Sequence, residues 1–564
     1  MDCFTLPRPL KVNLALLGGL AICLSACGKA QSENTASSPR VEKRQAEQDK
    51  SGEQTPSADA NPDSGALARR QLRRLTLTLT GELPSAQLMD EVTKGSTTLD
   101  QVSRQLLGNF SFSATLAREL LESWKWSESY SQGARDGNSQ FVAGMDTATN
   151  KKILDEAYFL ILYFLQQNRP YSHWFQGRAS LVHQEVLGLD FEPTSALWPG
   201  TEMSFGTYSS ERLAFGLASS NAARLANTRD HLFGSTGYSA QVLNNFLCSS
   251  DDHVAAHDFL VLDPAWFAPD ATTALGAPSC ASCHQSIHTL ATVLPQRESS
   301  GGIAEWLLIA EHPTALNAKF FTAEVDTSAT LVENFARDAR LGACLVKHLS
   351  KIYLRRNFGD NDPAFLATAQ ARYLATQKPG DVVQFMLSQP SFYENVDSTQ
   401  LQALPEKKVR ILLPRQMRDI LSKHSPKLKE IPRPFAARLA TELSITNQSE
   451  GLDFHSLEEM LYLAGYFADF LVEDELNEDT PSSARIFFTK LGQDPSQWDD
   501  ATVESQIVHL FYLFTSLVLA TDSPTIVDLS DIWHSTPRID DSARLEGWKQ
   551  IVTAILLSPH FLYY

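Results

Sequence analysis

Beyond about residue 65, apolar side chains recur at helical spacing through most of the chain. The runs are Val102 to Trp126, Ile153 to Gln166, Leu341 to Leu354, Val409 to Leu421, Leu457 to Leu471, Val503 to Leu519 and Trp548 to Leu557. This predicts a mainly α fold built from several helical modules. One stretch reads differently: Leu75-Thr-Leu-Thr-Leu-Thr80 alternates with a period of two and predicts a strand. Gly81 and Leu83-Pro84-Ser85 then predict a turn into a helix with Ser85 as its N-cap. Phe175 to Thr207 is rich in Gly, Pro, Trp and His without clear period and is expected to be a long irregular connection. Phe159-Leu-Ile-Leu-Tyr-Phe164 is too short to span a bilayer and reads as a core helix.

A weak echo recurs three times, in Leu106-Leu-Gly-Asn-Phe-Ser-Phe112, Met386-Leu-Ser-Gln-Pro-Ser-Phe392 and Ile555-Leu-Leu-Ser-Pro-His-Phe561. Each couples the end of an amphipathic helix to a Phe just beyond it, by module architecture or by shared turn chemistry. The resulting division is 1–26 leader, 27–65 tether, 66–175 N-terminal helical module, 176–300 cofactor-bearing module, 301–400 helical module and 401–564 C-terminal helical module.

Composition narrows the function. With Lys+Arg 48 against Asp+Glu 66 the chain carries a formal charge of -18, and no basic stripe offsets it, so nucleic acid is not an expected partner. The acidic run Glu473 to Asp479 lacks the Gly and the spacing of a calcium loop and reads as a solvated face. No Gly-rich phosphate loop, nucleophile elbow or His-Glu-x-x-His occurs.

The N-terminus predicts export. Arg8 and Lys11 precede an apolar stretch from Leu14 to Leu24, which ends in Leu24-Ser25-Ala26-Cys27. That tetrapeptide resembles the lipobox of bacterial lipoproteins, which implies cleavage before Cys27 and lipid on its sulfur and amine. Gly28, not Asp, follows, and by the same resemblance this implies the outer membrane, on either leaflet. Residues 29 to about 64 are polar and Pro-containing, as in a disordered spacer that holds the body off the membrane.

Seven cysteines are present. Cys3 and Cys23 leave with the leader and Cys27 is lipidated, which leaves Cys248, Cys280, Cys283 and Cys344. Cys280-Ala-Ser-Cys283-His284 is the attachment motif of a c-type haem: two thiols on one helical turn meet two vinyl groups, and the adjoining imidazole reaches the iron as an axial ligand. Chance would supply roughly 0.002 such matches in a chain of this composition. The rivals are a zinc half-site, for which no second Cys-x-x-Cys pair exists in the sequence, and a redox dithiol, which expects a parallel-sheet context. Subtraction leaves Cys248 and Cys344, expected to form a disulfide in an oxidising compartment, the alternative being two separate buried thiols. The ligand opposite His284 is open: Met203, His253 and His257 are candidates, and an unfilled position would admit a small ligand.

These residues carry a resemblance to a family. Arg73 to Gly81 with Leu83-Pro84, Asn168-Arg-Pro-Tyr171, Leu247-Cys248 followed by Pro278 to His284, Cys344 through Phe392, and Leu556 to Phe561 are similar to the modules of planctomycete-type cytochrome c proteins. Much of 70–564 is touched, but only the haem motif is individually specific. Relatives usually continue after the haem His with Ile-Asp-Pro-Leu-Gly, where this chain has Ile287-His-Thr-Leu-Ala291. They also often carry a Gly-x-x-Thr-His-Pro stretch, where it has Gly216-Leu-Ala-Ser-Ser-Asn221.

The sequence thus predicts a lipid-anchored cell-envelope protein with one covalent haem c, transferring electrons to an unidentified redox partner. Two alternatives stay open: a peroxidase- or oxygenase-like haem enzyme with an open distal position, and a surface scaffold lipoprotein in which haem is structural.

Overall fold

A computed structural model describes residues 62–124, 126, 147–186, 191–197, 202–208, 215–220, 223, 234–248, 290, 318–321, 323–354, 363–393, 417, 420–421, 454–477, 479–537 and 540–562. The haem motif, Cys27, His253 and His257 lie outside them. So does most of the run from Val409 to Leu421.

The expected mainly α fold is present. Helix α1 (Pro62–Thr80) runs straight through the stretch expected to be a strand. Alternation misled here because both sides of the helix are covered. Leu72, Leu75 and Leu79, spaced to share one face, enter one hydrophobic core, whereas Leu77 points the other way into a second. Thr76 and Thr80 are also buried, and their hydroxyls are satisfied locally. Thr76 Oγ1 donates to the Arg73 carbonyl at 3.1 Å and Thr80 Oγ1 to the Thr76 carbonyl at 2.9 Å.

Gly81 turns the chain with φ 64°, and Ser85 Oγ accepts from the Leu88 N–H at 3.2 Å, the cap expected of it, to start α2 (Ala86–Thr93). The predicted helix from Val102 to Trp126 is two, α3 (Leu99–Leu107) and α4 (Phe110–Ser123), broken at Gly108 and restarted by the Asn109 cap. Next comes α5 (Thr147–Gln166), in which Leu160 and Ile161 are fully buried, as expected of a core helix.

The stretch expected to be irregular holds a three-stranded antiparallel sheet in the order β1 (Ala179–His183), β3 (Met203–Tyr208), β2 (Phe191–Leu197). Its strands are short, and Pro193 sits on edge strand β2 where the register shifts, so no sustained period marks them. Against this sheet α5 buries Glu156, whose carboxylate accepts from Ser180 Oγ at 2.6 Å and Tyr208 Oη at 2.7 Å.

Helix α6 (Gly234–Leu247), the β4–β5 hairpin (Ala318–Phe320 and Ala323–Val325), α7 (Ser328–Arg337), α8 (Ala339–Leu354), α9 (Pro363–Thr376) and α10 (Pro379–Leu387) complete the first core, which reaches from Leu72 to Phe392. Helices α8 and α9 approach closely at Gly342, where a Cβ would lie 2.1 Å from the Tyr373 ring. The second core joins Leu77, Met417, Ile420 and Leu421 to α11 (Phe454–Glu475), α12 (Asp500–Thr515), α13 (Pro524–Ser535) and α14 (Asp541–Leu557).

The three echoes share one geometry. Phe112, Phe392 and Phe561 are each the third residue of the helix that follows the break, and each is buried. No helix among the described residues is long and apolar enough to cross a membrane.

Candidate functional site

Three helix segments meet where the chain leaves α6. The end of α4 brings Ser123, Trp124 and Trp126; the end of α6 brings Asn245, Phe246 and Cys248; the middle of α8 brings Cys344 and His348. Cys344 and His348 are four residues apart and so lie on one face of α8. Cys248 follows α6 in the left-handed region at φ 50°, its N–H bonded to the Asn244 carbonyl. From there its sulfur reaches Cys344, and the two form the expected disulfide, with Cα atoms 5.3 Å apart. Cys344 is buried and Cys248 partly exposed.

His348 is fixed from both ring nitrogens. Ser123 Oγ bonds Nδ1, and Nε2 lies 2.9 Å from the Asn245 carbonyl oxygen. Since a carbonyl only accepts, Nε2 carries the proton in this arrangement and Nδ1 accepts from the serine hydroxyl. The Asn245 amide in turn donates to the Trp124 carbonyl at 3.1 Å.

An aromatic wall stands beside these polar groups. Phe246 packs edge-on against Trp124 at 4.9 Å and Trp126 at 5.3 Å, and on its other side against Phe175 at 4.6 Å, which continues to Tyr171 at 5.2 Å. Both indole N–H groups, of Trp124 and Trp126, are buried without a partner among the described residues, as is the Tyr171 hydroxyl. Burial, and behind it the charge of a neighbouring ionised Tyr373, holds the Tyr171 hydroxyl well above the ordinary phenol range.

The segment 249–289, with its Cys-x-x-Cys-His, lies outside the described residues, and residues 248 and 290 flank it. Cys248 is held by the disulfide, and Leu290 is fully buried in the first core. Pairing of Cys248 with Cys344 leaves Cys280 and Cys283 as the two other cysteines that follow Cys27 in the sequence. Cys280, Cys283 and His284 are donors of the types that a thioether-linked haem takes, and they lie outside the described residues.

Met203, proposed as a distal ligand, is buried in β3 and paired in register with His183 of β1. Around His183 lies a second polar cluster. Its Nε2 is 2.8 Å from Glu202, its Nδ1 accepts from the Glu185 N–H at 3.2 Å, and Glu185 pairs with Lys152. The Lys152 ammonium holds the exposed Glu185 carboxyl below the usual range, first by hydrogen bonding and then by its charge. Every member of that cluster has a partner within it, and both carboxylates are exposed, as on an ordinary solvated edge.

Sequence reasoning located the disulfide but not Ser123, Trp124, Trp126 or His348. Cys344-x-x-x-His348 on an amphipathic helix and Trp124-Lys-Trp126 at a helix end are the signals that could have found them. Compared with family models, with curated proteins and with solved structures, this chain finds no match.

Proposed function

We propose that the chain is an exported, lipid-anchored monohaem c-type cytochrome that carries electrons in the cell envelope, of the planctomycete type that its residues resemble. One observation carries this reading: Cys280-Ala-Ser-Cys283-His284 stands in a chain whose N-terminus reads as a lipoprotein leader and whose two other body cysteines are joined to each other. A disulfide belongs to the oxidising compartments where c-type haem is also attached, so the pairing of Cys248 with Cys344 and the leader support each other.

Haem, when bound, supplies a one-electron iron couple whose potential depends on axial ligation and burial. The protein's part is to hold it. Cys280 and Cys283 would form the thioethers and His284 the axial bond. His284 stands six positions before Leu290, which is buried in the first core. Trp124 and Trp126 offer indole donors of the kind that a carboxylate edge accepts.

The test is expression in a host with cytochrome maturation machinery, followed by acid-acetone extraction. Colour that stays with the polypeptide, and is lost in Cys280→Ala/Cys283→Ala, is the expected result. A colourless product overturns the reading.

A haem-enzyme reading is favoured by the second core, which exceeds what holding one haem requires. Spectra with carbon monoxide or cyanide separate the two: an unperturbed low-spin spectrum marks electron transfer, and ready ligation marks an open iron. A haem that exchanges electrons with no mediator would mark the scaffold alternative.

A further inference from the structure

We propose that the Cys248–Cys344–His348 junction is a redox-gated metal site, a disulfide when oxidised and a two-thiolate, one-imidazole ligand set for a thiophilic divalent cation such as Zn²⁺ when reduced. It is independent of the haem reading and uses none of that motif's residues.

The geometry is the basis. The two sulfurs and one ring nitrogen of His348 lie within 4.8 Å of one another. Around a tetrahedral zinc, with Zn–S about 2.3 Å and Zn–N about 2.0 Å, such ligand atoms sit roughly 3.5–3.8 Å apart. Reduction lets the sulfurs separate by the further distance of about 2 Å that a metal between them needs, and Cys248, the partly exposed partner beyond the last turn of α6, is the one with room to move.

The histidine is prepared for the change. In the oxidised form its Nε2 proton is held by the Asn245 carbonyl, and that oxygen also lies 3.5 Å from Cys344 Sγ, so Nε2 and the sulfur face the same point. Moving the ring proton to Nδ1 lets it donate to Ser123 Oγ and ends the Nε2 hydrogen bond to the Asn245 carbonyl, so that a small swing of the ring off that oxygen presents the Nε2 lone pair to a cation. Ser123 is then the outer partner that a metal-bound imidazole normally has. The alternative cluster at His183 has no such second state, because Lys152 already neutralises one of its carboxylates.

The chemistry balances. A dithiol reductant gives two electrons and two protons to the disulfide, becoming a disulfide itself and leaving two Cys thiols. Binding of M²⁺ then releases both thiol protons to solvent and leaves the imidazole neutral.

The test uses the exported full chain carrying Cys280→Ala and Cys283→Ala, so that the haem thiols cannot contribute. Zinc is added to the oxidised protein and to protein reduced with a phosphine, unbound metal is removed, and zinc is measured by mass spectrometry. Co²⁺ is the spectroscopic probe for thiolate ligation. The expectation is about one zinc per reduced chain and almost none per oxidised chain, with a thiolate-to-cobalt band on reduction only. His348→Ala should weaken binding by about 10–100-fold with unchanged far-UV circular dichroism, and Cys248→Ser should abolish it. Equal zinc in both redox forms, undiminished affinity in His348→Ala, or a reduced protein that stays folded yet takes up no zinc overturns the proposal. So does a reduced protein that unfolds and is not restored by zinc.

Discussion

Arg73 donates from Nη2 to the backbone carbonyl of Phe561 at 2.9 Å and lays its guanidinium 5.6 Å from the centre of the same ring. The first described helix is thereby fastened to the last. Its Nε also donates to the Phe514 carbonyl at 3.2 Å, near the C-terminal end of α12, where a cation complements the helix dipole. The adjacent Arg74 lies 5.6 Å from the ring of Phe392, so neighbouring arginines on α1 each cover one echo phenylalanine, one in each core.

Because Arg73 is buried and joins two carbonyls, Arg73→Ala should destabilise the protein by about 2–4 kcal/mol, with Arg73→Lys recovering only part. Urea unfolding monitored by circular dichroism checks this. Equal stability of wild type and Arg73→Ala would show that the link is dispensable.

Glu475 closes the loop after α11. Its buried carboxylate accepts N–H groups from Ile486 at 3.0 Å, Phe487 at 2.9 Å and Phe488 at 3.0 Å. Glu475→Gln replaces one acceptor oxygen by a donor facing those donors and should cost about 2–4 kcal/mol. Hydrogen exchange at residues 486–488 should accelerate with it, whereas an exposed control such as Glu333→Gln leaves both measures unchanged.

Acid should weaken the C-terminal end through His560. Burial first, and the charge of Arg73 second, hold this imidazole below its ordinary range. The unfolded chain therefore takes up a proton that the folded chain resists. The stabilisation is full above about pH 6.5 and is lost as the pH falls towards the lowered folded value. His560→Gln should show a shallower decline of Tm between neutral pH and about pH 5 than wild type. A parallel decline in both proteins would assign the acid sensitivity elsewhere, with His509, lowered by burial and then by Lys490, the next residue to test.

Replacing both disulfide cysteines by Ser should cost about 4–5 kcal/mol in the chain-entropy model, since the bonded residues are 96 apart. Denaturant midpoints of the oxidised wild type and the Cys248→Ser/Cys344→Ser variant measure it, and a difference under about 1 kcal/mol would show that the loop is already constrained by other contacts.

How far the sequence speaks depends on how many sides of a segment are covered. Helices with one buried face, such as α8 and α14, declare themselves by period, and Ser85 declares its cap by position. Leu75 to Thr80 was misread because a helix lodged between two cores buries leucines in opposite directions, and on this chain that happens to alternate. The small sheet was illegible because its strands are short and its edge carries Pro193. At the candidate site, cysteine arithmetic found the disulfide, but Ser123, Trp124 and His348 come together from α4 and α8, whose adjacency only tertiary packing sets.

The bond between Cys248 and Cys344 also changes what a cut chain looks like. A protease that cleaves once anywhere from 249 to 343 severs the polypeptide but not the molecule, because the two pieces stay joined through sulfur. On a denaturing gel the nicked protein would run as one species until a reductant is added and then as two, so the integrity of the stretch bearing the haem motif can be read only under reducing conditions.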